Sequence, residues 1–353
     1  MTNVKVALWG FGAMGQGMGR ALLGRKGIEI VGICCRNKGR QGKTMYEILD
    51  MKADQADVPI ISDIEQVLSD KCADVVLMST DSFVKGAFEK IELVVKKGMN
   101  AINIAEEMSW AHANAPELAE KIDKLAKEHG VSVLGTGINP GLVMDLLAVV
   151  LSGAMISVDT VKCERVNSLS PFGGTVMHEQ GVGITPEEFE KRNGAGELAG
   201  HVGFAESVAM IANGMGIKYD KFAQQMKPIM TDVDRKSPHG FAAAGNLAGI
   251  NMTAQATQNG KVVIDMYHPQ QIEPHLAGVD TGDYITLEGS PPIAMSINPE
   301  IEGGLGTIAM AVNCIPQVIN ADPGLITMLD IPVPRVVMGD YRELIKNGKK
   351  IVK

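Results

Sequence analysis

A short apolar strand, Val4 to Trp9, runs straight into Gly10-Phe11-Gly12-Ala13-Met14-Gly15, and a helical pattern over Met14–Leu23 opens within this turn. No other feature constrains the fold of this chain so strongly. A glycine at the first position permits a tight turn, one at the second lets a pyrophosphate approach the backbone, and one at the third lets helix and strand pack closely. The helix N-terminus then attracts the phosphates. Gly10, Phe11, Gly12, Ala13, Met14 and Gly15 are therefore the first candidate dinucleotide contacts.

The rest of the N-terminal stretch fits the same architecture. Strand patterns at Ile28–Cys34, Asp74–Ser79, Ala101–Ile104 and Val131–Gly135 alternate with helical ones, Pro116–His129 being the clearest. Alternating β and α elements imply a doubly wound parallel sheet, the α/β Rossmann class. Beyond Pro140 the texture changes. Strands are expected at Asp159–Val166, Val262–Tyr267 and Tyr284–Glu288, and helices at Phe204–Asn213 and Tyr219–Met226. Segregated strands and helices imply an α+β second domain. A last helix is expected over Thr307–Cys314, stopped by Pro316, before a polar tail that ends in basic residues. The expected division is a Rossmann domain over residues 1–139, to which 306–353 return, and a substrate-binding and dimerisation domain over 140–305.

Composition narrows the partners. Lys plus Arg total 33 against 41 Asp plus Glu, a net charge of −8, and aromatics are only 4%, so neither nucleic acid nor an anionic membrane is expected. With 353 residues the chain is long enough for two well-buried domains. The five cysteines include one adjacent pair and no CxxC, and the seven histidines have no ligand spacing, so neither a disulfide framework nor a metal is expected. Reduced thiols and the absence of a leader pattern point to the cytoplasm.

Cofactor choice is read at the end of the second strand. The run Cys34-Cys35-Arg36-Asn37-Lys38-Gly39-Arg40 has no acid to bind a ribose 2′-hydroxyl. Arg36, Asn37 and Lys38 suit a 2′-phosphate, which favours NADP, with a solvated basic turn that still accepts NAD as the alternative. Ser79 and Thr80 end the third strand, where they either touch ribose or nicotinamide or cap the next helix. The following strand ends in Glu106-Glu107, at the carboxyl edge of the sheet. One of the two is expected to accept a proton or bind an amine while the other caps a helix.

After the last Rossmann strand comes Gly135-Thr136-Gly137-Ile138-Asn139-Pro140-Gly141, then Asp145 at the start of a helix. Asn139 and Pro140 are expected beside the nicotinamide. Asp145 either binds a substrate amine or complements the helix dipole. Arg165, Asn167 and His178 are the second domain's candidates for a substrate carboxylate. His201, His239, His268 and His275 read as residues of turns.

With these residues in view, the chain resembles the 2,4-diaminopentanoate dehydrogenases, within a wider dihydrodipicolinate-reductase-like group that includes native amine dehydrogenases. The resemblance rests on the GFGAMG turn, the AEEMSW segment at Ala105–Trp110, the GTGINPGLVMDLL loop at Gly135–Leu147 and the late helix Thr307–Pro316. The His-His and Lys pattern of dihydrodipicolinate reductase itself is missing. The resemblance implies oxidation of the 4-amino group of a diamino acid to a ketone, with release of ammonia and reduction of NAD(P). It puts the amine-handling acid in the Glu106-Glu107 pair, matches Thr307 to the family's late threonine and sets Asn313 near the returning cofactor contact. An amine dehydrogenase or imine reductase for another short substrate is the neighbouring alternative. A non-catalytic dinucleotide sensor is the alternative of a different class. A homodimer is expected.

Overall fold

A computed structural model describes residues 2–53, 55–346, 349 and 351; Lys350 and Lys353 of the basic tail lie outside the described residues. The chain divides into two compact units, Met1–Gly141 with Glu302–Lys353, and Leu142–Ile301.

In the first unit, β1 (Val4–Trp9), α1 (Ala13–Leu23), β2 (Ile28–Cys34), β3 (Ile60–Ile61), β4 (Val75–Met78), α2 (Val84–Lys96), β5 (Asn100–Asn103), α3 (Pro116–His129) and β6 (Ser132–Gly135) follow one another. The returning segment adds an edge strand, Gly324–Ile326. All seven strands are parallel, in the order Gly324–Ile326, β6, β5, β4, β1, β2, β3. Every residue of β4 is buried, as expected of a central parallel strand covered on both faces. Pro116 opens α3 and Gly130, left-handed at φ +67°, closes it. The expected late helix is Gly303–Asn313, and it packs on α1 so closely that a Cβ on Gly17 would stand 2.2 Å from the Ile308 side chain. Pro316 does end it, by starting a second short helix, Ile315–Asn320.

The second unit contains α4 (Leu146–Ser152), β7 (Ser157–Ser168), α5 (Phe204–Met215), β8 (Lys221–Met230), β9 (Leu247–Gln258), β10 (Lys261–Gln271), β11 (Gly282–Ser290) and β12 (Ile293–Ile297). They form a mixed sheet in the order β12, β11, β7, β10, β9, β8, in which only β7 and β10 run parallel. From Lys221 on, the helix expected at Tyr219–Met226 is instead edge strand β8. Its four-residue spacing of Phe222 and Met226 imitates a helix, but ten cross-strand pairs with β9 decide the matter, and Pro228 is tolerated because the strand lies at an edge. Strand β9 itself has no counterpart in the sequence reading.

One face of this sheet is built by strict alternation. On β7 the buried positions are Val161, Cys163, Arg165 and Asn167. Their register neighbours are Ile264, Met266 and Gln270 on β10, and Leu287, Ile285 and Asp283 on β11. The face is apolar at one end and turns polar toward the carboxyl ends of the parallel β7–β10 pair. Polar groups in that position need partners.

Candidate functional site

In the first unit the glycine turn has the geometry its spacing implies. Gly10 has φ +102°, and a Cβ there would lie 2.6 Å from the Ser79 hydroxyl. A Cβ on Gly15 would lie 2.0 Å from the Gly10 carbonyl oxygen, whereas nothing stands within 4 Å of one on Gly12. Gly12 therefore leaves the approach to the loop open. It also precedes α1, whose first turn has neither a side-chain cap nor an acid, so its backbone N–H groups are available to an anion. The Phe11 side chain is core, while its carbonyl accepts from the Arg40 guanidinium and from Gln16.

Two cavities meet this turn. One, of about 500 Å³, is lined by Trp9, Gly10 to Gly12, Cys34 to Asn37, Arg40, Thr80, Asp81 and Lys90. Arg36, Asn37 and Lys38 are exposed, and Asn37 spends its Oδ1 on the Gly39 N–H at 2.9 Å, as the cap of a 3₁₀ turn. Arg40, bound to the loop carbonyl, is the cation fixed over the turn. The other cavity, of about 890 Å³, is lined by residues that include Met14, Ser79, Thr80, Ile104 and Glu106. Ser79 braces the loop through the Gly10 carbonyl at 3.4 Å, and the Thr80 hydroxyl donates to Asp81 at 2.5 Å.

The two adjacent acids have separate surroundings. The Glu107 carboxylate accepts the Val84 N–H at 2.8 Å and so caps α2, whose N-cap residue Phe83 offers no side-chain acceptor. Glu106 faces the larger cavity. Farther along, the Thr307 hydroxyl accepts the Ile138 N–H at 3.2 Å, tying the returning helix to the loop after β6. In that loop both amide atoms of Asn139 are buried without a protein partner, as is Oδ1 of Asn313. Pro140 contributes its carbonyl, which accepts from Ser109 at 3.4 Å.

In the second unit, three sequence candidates have partners within the protein. Asp145 is fully buried and caps α4: Oδ1 accepts the Leu146 N–H at 2.6 Å and Oδ2 the Ser207 hydroxyl at 2.9 Å. It is the helix-capping alternative, not an open acid. Arg165 donates to Asp283 at 2.5 Å and to the Ile301 carbonyl at 2.6 Å, so its guanidinium is committed within the unit. Burial pushes the Asp283 carboxyl above its usual range, although Arg165 pulls the other way. His178 is exposed, and its ring and carbonyl meet Arg192 at 3.4 and 3.1 Å. Asn167 is buried and its Oδ1, an acceptor and so no partner for the expected carboxylate, has no protein partner.

Sequence reading missed the residues beside Asn167. Gln270, its register neighbour on β10, has an unpartnered Nε2. His268, two residues earlier on the same face, meets the Arg165 carbonyl through Nδ1 at 2.7 Å; a carbonyl only accepts, so Nδ1 carries the proton and Nε2 is an acceptor. The His201 ring lies edge-on to that of His268, with centroids 4.7 Å apart, and its Nε2 has no partner. Burial and the nearby Arg165 charge lower the His201 pKa to about 3, and burial also holds His268 well below its ordinary value. Both rings are therefore neutral at pH 7. The available signal was the polar inward position of His268 and Gln270 in the alternating run Ile264 to Gln270.

All five cysteines are free, and Cys34, Cys163 and Cys314 have thiols raised by burial. Among the described residues there is no cluster of His, Cys, Asp or Glu fit for a metal, and no helix long and apolar enough to cross a membrane.

Comparison with known proteins assigns the lineage. Residues 142–347 match the 2,4-diaminopentanoate dehydrogenase C-terminal domain, and residues 4–104 match the dihydrodipicolinate reductase N-terminus. A curated 2,4-diaminopentanoate dehydrogenase of Acetoanaerobium sticklandii is 55% identical, over 100% of both chains. The chain belongs to the 2,4-diaminopentanoate dehydrogenase family. An amine dehydrogenase of Streptomyces virginiae is 24% identical over 94% of this chain and 96% of its own. The solved structure of an amine dehydrogenase from Mycobacterium smegmatis shares the fold with a TM-score of 0.83, at 24% identity, covering 96% of this chain and 98% of that one. Membership of this family makes the protein an oxidoreductase with a dinucleotide-binding domain. The open glycine turn and uncapped α1 are what such a domain requires.

Proposed function

We propose that this chain is an NAD(P)-dependent dehydrogenase that oxidises the 4-amino group of 2,4-diaminopentanoate, giving 2-amino-4-oxopentanoate and ammonia. The supporting relative is the Acetoanaerobium sticklandii protein, a 2,4-diaminopentanoate dehydrogenase by name. The observation that carries the mechanism is the division between neighbouring acids: Glu107 is spent on the Val84 N–H, while Glu106 lines the cavity beside the glycine turn.

The turn and the first N–H groups of α1 hold the pyrophosphate, and Arg36 and Arg40 meet a 2′-phosphate, which makes NADP the favoured form. Asn139, with an unpartnered donor and acceptor, matches a carboxamide. Nicotinamide supplies the hydride acceptor when bound. Glu106 takes the proton from the substrate's C4 ammonium, because only a neutral amine can release hydride from its carbon. Glu106 passes that proton to solvent and, again a carboxylate, takes a proton from the water that adds to the iminium; returned to the carbinolamine nitrogen, that proton lets ammonia leave as the C=O forms.

The experiment is dinucleotide reduction, followed at the reduced-nicotinamide band, with 2,4-diaminopentanoate and with simple amines in parallel. Reduction with the diamino acid supports the reading. Reduction with simple amines alone replaces it with the amine-dehydrogenase alternative, and dinucleotide binding without any reduction replaces it with the sensor.

A further inference from the structure

The smaller cavity at the glycine turn carries charge of both signs on its lining. Arg36 and Arg40 come from the segment after β2, and Asp81 and Lys90 from the loop after β4 and from α2. Lys90 meets both Asp81 oxygens, at 2.7 and 2.5 Å, and donates to the Gly86 carbonyl at 3.2 Å. Both side chains are mostly buried, at 17% and 15% exposure, so solvent screens this pair much less than an ordinary surface pair. Gly86 makes room for it: a Cβ there would lie 2.8 Å from Asp81 Oδ1.

We propose that the Asp81–Lys90 pair sets the balance between NADP and NAD in this cavity. The inference rests on the dinucleotide reading above and adds a second, opposing wall to its cofactor selection. An acid facing the adenosine half of a dinucleotide repels a 2′-phosphate, which carries close to two negative charges, and leaves a 2′-hydroxyl unaffected. Lys90 cancels that acid. The 2′-phosphate therefore experiences a wall that is neutral as a pair, against the cations Arg36 and Arg40. The unphosphorylated ribose experiences no penalty from either wall. Affinity for NADP thus depends more steeply on the charge of the pair than affinity for NAD, which brings only the shared pyrophosphate to the same cavity.

The test is a charge cycle on the full-length protein, read as the ratio of NADP to NAD dissociation constants. Tryptophan fluorescence supplies the signal, since Trp9 lines the same cavity. Lys90→Met, which leaves Asp81 uncancelled, weakens NADP relative to NAD by about tenfold or more. Asp81→Asn, which frees the ammonium, moves the ratio toward NADP. The double variant, neutral like the wild type, returns the ratio to within about threefold of it. A structural staple for the start of α2 would behave differently: both dinucleotides would weaken together, and the double variant would be no better than Lys90→Met. Either that pattern or an unchanged ratio in all variants overturns the proposal. A wild-type protein that binds neither dinucleotide overturns the underlying reading instead.

Discussion

The Glu107 carboxylate accepts the Val84 backbone N–H at 2.8 Å and caps the helix that follows β4. The helix has no capping side chain of its own, so this acid is held by a structural duty from another strand end. Glu107→Gln keeps the shape and weakens the charge-assisted bond. The expected loss is about 1 kcal/mol of stability, seen as a lower urea midpoint, with turnover within a few-fold of wild type. A collapse of turnover with unchanged stability would reverse the roles of the two glutamates.

Asn139 is a residue whose stability and activity should move apart. Its two amide atoms are buried without protein partners, which costs the folded state free energy unless a ligand supplies them. Asn139→Leu removes those orphaned groups with the same number of side-chain heavy atoms and the same branching. The melting temperature should hold or rise, while kcat/KM falls by about tenfold or more. A variant that loses stability and keeps its activity would make Asn139 a packing residue.

Asp145 should behave in the opposite manner. It is fully buried, caps α4 and receives the Ser207 hydroxyl. Asp145→Ala leaves those donors unsatisfied, and the expected loss is about 3 kcal/mol. Chemical denaturation of Asp145→Ala and Ser207→Ala would check it, the serine change being the milder of the two. A fully stable Asp145→Ala protein with a raised substrate KM would restore the amine-binding role expected from sequence.

The buried imidazoles make stability fall in acid. The His201 pKa is lowered to about 3 by burial and by Arg165, from 6.5 in the unfolded chain. Above pH 6.5 both states hold a neutral ring and this group contributes nothing to the pH dependence. Below it the unfolded chain binds a proton that the folded chain refuses, so stability drops as pH falls toward 3. At pH 5.5 that single ring costs roughly 1.4 kcal/mol. Asp283, raised by burial, works in the opposite sense, because its folded form takes up a proton first. The clean measurement is therefore the difference between wild type and His201→Phe in urea midpoint at pH 7.5 and at pH 5.5. The variant should lose less on acidification; equal losses would place His201 in contact with solvent.

Much of the first unit was legible because its signals are local. GxGxxG, the β-branched strands and the Pro116–His129 helix each act within a few residues, and each required only its own segment to be read. The same locality explains what was missed. Tyr219–Met226 imitates a helix until β9, some thirty residues later, pairs with it. Glu106 and Glu107 cannot be told apart by spacing, because the group that separates them is the Val84 N–H of a different element. The pairing of Arg165 with Asp283 is invisible in sequence because Asp283 lies 118 positions away on β11. His268 and Gln270 were passed over because a buried polar face is visible only once β7 and β10 are in register.

The most direct test of the central claim is the initial rate of NADP and NAD reduction by 2,4-diaminopentanoate in wild type and in Glu106→Gln, with dinucleotide affinity measured alongside by tryptophan quenching. The account predicts that the variant binds the dinucleotide as tightly as the wild type and turns over at least about a hundredfold more slowly. A Glu106→Gln protein that turns over at the wild-type rate would contradict it.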